Sequence, residues 1–354
     1  MTASRETRPV HRAETGSDLR RWRALWVTLI AGFMSLLDVS MVSVALPSIQ
    51  RGLDVSLTEA QWVISGYALT FGLALVPAGR LGDAFGRRRM FLLAVAGFSA
   101  ASAVSGAAPT IEALIAARIV QGLGAGFIAP QNSALIQQMF TGADRARAFG
   151  LFGATVSVST AVGPIAGGLI LGLADGSDGW RWIFLLNLPL GLLAVVLAAR
   201  LLPRETPTRD RRSRIDLLGV VLLGGTVLAV LFPFAQAESD GLRRLWWLFV
   251  LAVVPAVAFA VWERRLVRRG GEPLLDPRLL TRTPGYASGI ALGSSYFIGF
   301  SGVWLVFALF FQVGLGDSPL RGLLFCRRCD EQGDRWSPRE CAPRTSVRLG
   351  ATAS

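Results

Sequence analysis

Apolar residues in this chain neither alternate nor form the narrow stripe of a soluble amphipathic helix. They run on for twenty residues or more between short polar connectors. A hydrocarbon core about 30 Å thick takes about 20 helical residues to cross. Nine stretches reach that length, at 24–47, 58–79, 89–108, 111–137, 147–173, 181–201, 215–235, 245–263 and 286–312, and each predicts a membrane-spanning helix. Residues 1–23 are polar, and no short apolar core with a small-residue cleavage site follows them. The first stretch therefore reads as a retained span and not as a signal peptide. Gly72, Pro77, Pro130, Pro164 and Pro189 fall inside spans; packed membrane helices tolerate such residues because neighbouring groups satisfy the freed backbone.

The connectors set the expected orientation. With the N-terminus inside, the inner segments hold 24 arginines and the outer segments before the last span only Arg51, Arg181, Arg243 and Arg244. Positive charge is retained on the cytoplasmic side, so a cytoplasmic N-terminus is predicted. The expected organisation is a cytoplasmic tail over 1–23, a six-helix bundle over 24–201, a loop over 202–214, two further helices over 215–263, a loop over 264–285 and a ninth helix over 286–312. The arginine rule breaks after that helix: the segment from Arg321 should be outside yet carries seven arginines, and it gains cysteine while losing every apolar period. Residues 321–354 are therefore expected to be a non-homologous, disordered tail, the native frame ending near Leu320 to Phe325; a genuine soluble tail is the alternative.

Composition narrows the function classes. Of 354 residues, 52% are hydrophobic and 17% charged, against about 25% charged in an ordinary soluble domain. The net charge is +12 and all 36 basic residues are arginine, but they sit in short clusters between apolar runs, which excludes a continuous nucleic-acid-binding face. His11 is the single histidine and lies in the tail. Cys326, Cys329 and Cys341 include a C-x-x-C spacing, but three cysteines without a nearby histidine do not complete a zinc site. No metal is expected. With no nucleophile–base pair or metal cluster in the spans, an enzyme is not expected either.

Several motifs stand between and within the spans. Gly79-Arg80-Leu81-Gly82-Asp83-Ala84-Phe85-Gly86-Arg87-Arg88-Arg89 separates the second and third; its glycines allow a tight turn between approaching helix ends. The fourth span carries Leu114-Ile115-Ala116-Ala117-Arg118 followed by Gln121-Gly122-Leu123-Gly124-Ala125-Gly126, and the fifth Gly163-Pro164-Ile165-Ala166-Gly167-Gly168. Leu37-Asp38 and Val44-Ala45-Leu46-Pro47 lie in the first; Gln61-Trp62 with Tyr67, and Trp180 to Phe184 with Asn187 and Pro189, accompany them. Over about residues 24–320 this set resembles the major facilitator superfamily, and within it the fourteen-span drug–proton antiporters of the EmrB/QacA type. Ser159 stands where the antiporter motif begins with glycine, and Ser43 where this branch often has asparagine.

The residues and the resemblance together define candidate sites. Asp38 and Arg118 place two charges within spans, each expensive in lipid and therefore a functional candidate. Asp38 is read either as hydrogen-bonded within the bundle or as a group that takes up and releases a proton; Arg118 either snorkels to the headgroups or is buried. The resemblance implies proton coupling for both, a cytoplasmic gate formed by Gly79, Gly82, Asp83, Gly86, Arg87 and Arg88 that latches onto a second half, and an antiporter bend at Gly163, Pro164, Gly167 and Gly168. Gly122 and Gly126, like Gly163 and Gly167, share a helical face and permit close helix contact. Met34, Met41, Trp62, Tyr67, Gln121 and Asn132 are candidate cavity residues for greasy cations. The expected fold is an all-α polytopic bundle, with six helices as inverted three-helix repeats, two inserted helices and one helix of a second half. The expected function is proton-coupled export of drugs, antibiotics or related hydrophobic or cationic compounds across a bacterial plasma membrane, with no cofactor beyond the proton gradient and with lipid, protons and a small-molecule substrate as partners. A non-transporting membrane fragment or structural partner is the alternative.

Overall fold

A computed structural model describes residues 11–174, 178–203, 216–236, 241–271, 273–275 and 283–309, and among these every regular element is an α-helix. In chain order they are α1 (His11–Leu53), α2 (Leu57–Phe85), α3 (Arg87–Gly106), α4 (Ile111–Met139), α5 (Gly142–Leu173), α6 (Arg181–Leu185), α7 (Asn187–Leu201), α8 (Leu217–Ala235), α9 (Gly241–Arg244), α10 (Trp247–Arg268) and α11 (Tyr286–Leu309). Among the described residues, eight segments are long and apolar enough to cross a membrane: Leu19–Leu53 within α1, then α2, α3, α4 and α5, the α6–α7 pair as Arg181–Leu201, and finally α8 and α10. The chain divides after Pro277 into two units. Helix α11 lies in the second and covers the ninth predicted stretch as far as Leu309; the tail from 310, with its cysteines, lies outside the described residues.

Local chemistry sets the ends. Ser56 accepts from the Glu59 backbone N–H at 3.3 Å while Glu59 accepts from the Ser56 N–H at 2.8 Å, a reciprocal capping box that starts α2. Thr110 caps α4 and Asp216 caps α8 through the N–H of Gly219. Pro189 explains the break in the sixth span. It has no N–H and its ring crowds the carbonyl four residues back; α6 stops at that residue, Leu185, and α7 resumes at Asn187.

Two boundaries differ from the sequence expectation. Helix α1 begins at His11, so the latter part of the polar segment assigned to a tail is helical. The Trp22 ring packs tilted against Phe140, centroids 4.9 Å apart, and Arg21 pairs with Asp144 at 2.8 Å, which docks this extension on the α4–α5 junction. The glycine–arginine motif is also not a loop. Helices α2 and α3 are parted by Gly86 alone, at φ 94°, a backbone region open to glycine and strained for other residues.

The apolar core of the first unit has three parts. Met34, Tyr67, Phe91, Phe98 and Ile128 fill the middle of α1–α4 and α7. Leu37, Met41, Ile49, Val63, Leu114, Trp180 and Phe184 fill the end near α6, and Leu25, Leu29, Ile136, Phe140 and Ala148 close the other end. Helices α4 and α2 touch backbone to backbone: a Cβ on Gly126 would stand 2.6 Å from the Phe71 carbonyl oxygen, and one on Gly122 would run into that of Tyr67. Small residues are what permit such contact, since lipid supplies no hydrophobic drive between helices.

Candidate functional site

The spacing of Asp38 and Arg118 along the sequence says nothing of their distance in space; the α1–α4 seam brings them together. Each is 1% exposed or less, and an Arg118 Nη1–H donates to Asp38 Oδ2 at 2.5 Å. Arg118 Nη1 also donates to Gln121 Oε1 at 2.9 Å and its Nε to the Val63 carbonyl at 3.1 Å. The second carboxylate oxygen of Asp38 accepts from Gln121 Nε2 at 3.1 Å and Asn187 Nδ2 at 2.7 Å. Asn187 Nδ2 donates as well to Ser102 Oγ, whose hydroxyl donates to the Phe184 carbonyl at 2.8 Å. Six helices, α1, α2, α3, α4, α6 and α7, thus contribute to one polar knot. Aromatic faces close it: the guanidinium carbon lies 4.2 Å from the Tyr67 ring centre and 5.6 Å from that of Phe184.

Removing two ions from water costs several kcal/mol each unless geometry and further hydrogen bonds repay it. Here both carboxylate oxygens are occupied, and the guanidinium has a carboxylate, an amide, a carbonyl and two π-faces. Arg118 therefore does not snorkel. A pair held this way is a stable unit until one charge is lost, when the other becomes a buried, uncompensated ion.

The other sequence candidates fall into distinct places. In the glycine–arginine motif Asp83 pairs with Arg87 at 2.9 Å on a partly exposed face, and Arg87 Nη1 reaches the Ala134 carbonyl at 3.0 Å. Arg88 donates to the Ala199 carbonyl at 2.5 Å, near the end of α7. Gly82 backs onto the Gln131 side chain, whereas Gly79 has open space where a Cβ would stand. In α5, Gly163 and Gly167 lie against Ser40 and Met41 of α1, and Gly168 faces open space. Ser159, the departure from the antiporter pattern, is buried beside them, its carbonyl accepting from Ser40 Oγ at 3.3 Å. Pro164 sits inside α5.

Of the six candidate cavity residues, Met34, Met41, Tyr67, Gln121 and Asn132 are each 4% exposed or less. Trp62 is half-buried, its ring tilted against Phe232 of α8 with centroids 5.8 Å apart. Gln121 belongs to the polar knot, and Tyr67 lies under Arg118. Both ends of the Asn132 amide lack a hydrogen-bond partner among the described residues. The sequence does not single out Ser102, and it gives Asn187 no role of its own. A serine and an asparagine in an apolar run are weak signals, though a buried amide near an intramembrane acid was the available hint. Among the described residues, no group of three or more acidic, histidine or cysteine side chains is placed to hold a metal ion.

Comparison with known proteins identifies the family and the fold. The family model for the Major Facilitator Superfamily matches residues 28–325. The chain is 41% identical over 309 residues to the probable actinorhodin transporter of Streptomyces coelicolor, covering 86% of this chain and 52% of that protein. It is 42% identical over 313 residues to the puromycin resistance protein pur8 of Streptomyces alboniger, covering 88% and 60%. To the tetracenomycin C resistance and export protein of Streptomyces glaucescens it is 33% identical over 310 residues, covering 88% and 56%. The chain thus spans little more than half the length of these relatives. Among solved structures, the proton:xylose symporter XylE bound to 6-bromo-6-deoxy-D-glucose superposes with a TM-score of 0.56 at 15% identity, over 88% of this chain and 66% of that one; that likeness shows the fold alone. With the family model matching residues 28–325 and the fold that of a transporter bundle, the chain belongs to the Major Facilitator Superfamily, whose members are membrane transporters and not enzymes.

Proposed function

We propose that this chain serves proton-coupled efflux of antibiotic-like small molecules, as part of the fourteen-span drug–proton antiporter branch, and that Asp38 and Arg118 are its coupling pair. The observation that carries the reading is the buried Asp38–Arg118 contact at 2.5 Å, enclosed by Gln121 and Asn187. Protonating Asp38 removes the negative charge from the knot and leaves Arg118 facing Gln121, the Val63 carbonyl and two aromatic rings. That change converts a satisfied pair into an uncompensated cation, at a cost large enough to favour a rearranged seam. A membrane potential supplies about 2.3 kcal/mol per charge per 100 mV, so one or two protons match the scale of the switch. Asp83 with Arg87 is assigned to a cytoplasmic gate, and the Gly163–Gly168 motif to a bend that seals one side of the cavity. The excess of arginine on alternate connectors supports a cytoplasmic N-terminus in a bacterial plasma membrane. The names of three relatives, for actinorhodin, puromycin and tetracenomycin C, support antibiotics as the substrate class.

The test is flux in sealed proteoliposomes with an imposed pH gradient, with puromycin as the probe. Gradient-driven puromycin movement by this chain, abolished by Asp38→Asn with the fold retained, is expected. Gradient-independent flux, equal flux by the Asp38→Asn variant, or no flux by the unmodified chain overturns the reading.

A further inference from the structure

Glu263, near the end of α10, is the other carboxylate buried among the described residues, at 1% exposure, and the coupling pair makes no use of it. Its partners are backbone. Oε1 accepts from the Leu274 N–H at 3.1 Å and Oε2 from the Leu275 N–H at 3.4 Å. Two successive N–H groups turned to one side form a concave anion-binding surface. The opposite side of the same turn faces α2. Arg80 Nε donates to the Leu274 carbonyl at 2.9 Å, and Arg80 Nη2 to the Pro273 carbonyl. The Leu274 residue, itself 4% exposed, is gripped through its N–H by an acid on α10 and through its carbonyl by a guanidinium on α2. The start of α8 joins the same assembly: Asp216 accepts from Trp262 Nε1 at 2.8 Å and caps α8 through the Gly219 N–H at 2.9 Å.

We propose that Arg80 and Glu263 are positioning residues that clamp the Pro273–Leu275 turn between α2 and α10, tying the α8–α10 pair to the end of α2 that carries the glycine–arginine motif. Chemistry selects both residue types. The rigid guanidinium fork spans two adjacent carbonyls, which a single ammonium cannot do with fixed geometry. A buried carboxylate is tolerated because two N–H donors and a cation across the turn compensate it. The packing farther along α2 agrees: a Cβ on Gly72 would stand 3.0 Å from Leu231 of α8, and one on Gly224 of α8 would stand 2.9 Å from Leu73. Helix α8 is thereby packed directly against α2, with α10 joined to the motif end through the turn. Only its consequence for transport, that α8 and α10 travel with α2 during gating, rests on the function proposed above; the clamp does not.

The experiment is residue-resolved hydrogen exchange on the whole chain in lipid nanodiscs, reading the Leu274 and Leu275 amides. Glu263→Leu is expected to speed both by about tenfold, the scale of one lost charge-assisted hydrogen bond. Arg80→Leu touches neither amide directly, yet is expected to speed both by about tenfold because it releases the opposite side of the turn. Glu263→Gln keeps an acceptor and is expected to hold the increase to about threefold. Unchanged exchange in the Arg80→Leu chain overturns the two-sided clamp, as does a Glu263→Gln chain that exchanges as fast as Glu263→Leu. Amides of α4 from Gly122 to Gly126 report the intact fold. Where either leucine variant disturbs them, Arg80→Lys and Glu263→Gln are read instead, with about threefold expected for each and no change in both overturning the proposal. Flux plays no part in this readout, so its failure leaves the coupling proposal standing, and the reverse.

Discussion

Two aspartate–arginine pairs of identical chemistry sit in this molecule under opposite conditions. Asp38–Arg118 is sealed inside the α1–α4 seam, with side chains 0% and 1% exposed; Asp83–Arg87 lies at the end of α2 with side chains 46% and 31% exposed. Water solvates the second pair in either state, so it can open and close at little cost. The first has no such alternative, and its free energy changes steeply when one charge is neutralised. Burial, not residue type, separates a pair suited to storing a coupling event from one suited to frequent making and breaking.

The comparison is broken most directly at Arg118. Arg118→Leu is expected to destabilise the fold by about 3–5 kcal/mol, because Asp38 is left buried and unpaired; thermal unfolding in detergent reads this. The double variant Asp38→Leu with Arg118→Leu is expected to recover much of that loss, since two apolar groups replace a desolvated pair. A double variant no more stable than Arg118→Leu would show that packing, and not charge, governs the seam. Asn187→Ala, which removes one of three side chains donating to Asp38, is expected to cost about 1–3 kcal/mol. At the exposed end, Gly86→Ala is expected to cost about 1–2 kcal/mol through its positive φ. Asp83→Asn is expected to change stability by no more than about 0.5 kcal/mol, an effect that fades with added salt. If Asp83→Asn proves as costly as Arg118→Leu in the same assay, the contrast between the two pairs is wrong.

Much of the architecture was legible in the chain because lipid imposes a strict length on apolar runs. The eight segments match the first eight predicted stretches to within a few residues at most ends. The polar part of α1 was not, since its helicity depends on Trp22 and Arg21 finding Phe140 and Asp144 on helices distant in sequence. The one-residue join at Gly86 was half legible: glycines announced a turn, but not that both helices would run up to it. Asp38 and Arg118 stood out singly because intramembrane charge is costly. Their pairing, and the parts of Ser102 and Asn187, did not stand out, because an apolar run containing one polar residue looks the same whichever neighbour that residue faces. Arg80 was hidden differently, as one arginine among four in a motif.

The amino-acid order alone determined where the long apolar runs lie, where its charge gathers and which superfamily it resembles, because those follow from run length and local motif and need no knowledge of neighbours. Only the tertiary structure decided which buried groups meet: that Asp38 has Arg118, Gln121 and Asn187 around one carboxylate, and that Arg80 and Glu263 hold opposite sides of one peptide. Hydrogen bonds are short-ranged and directional, so partners drawn from helices a hundred residues apart are fixed by how those helices pack.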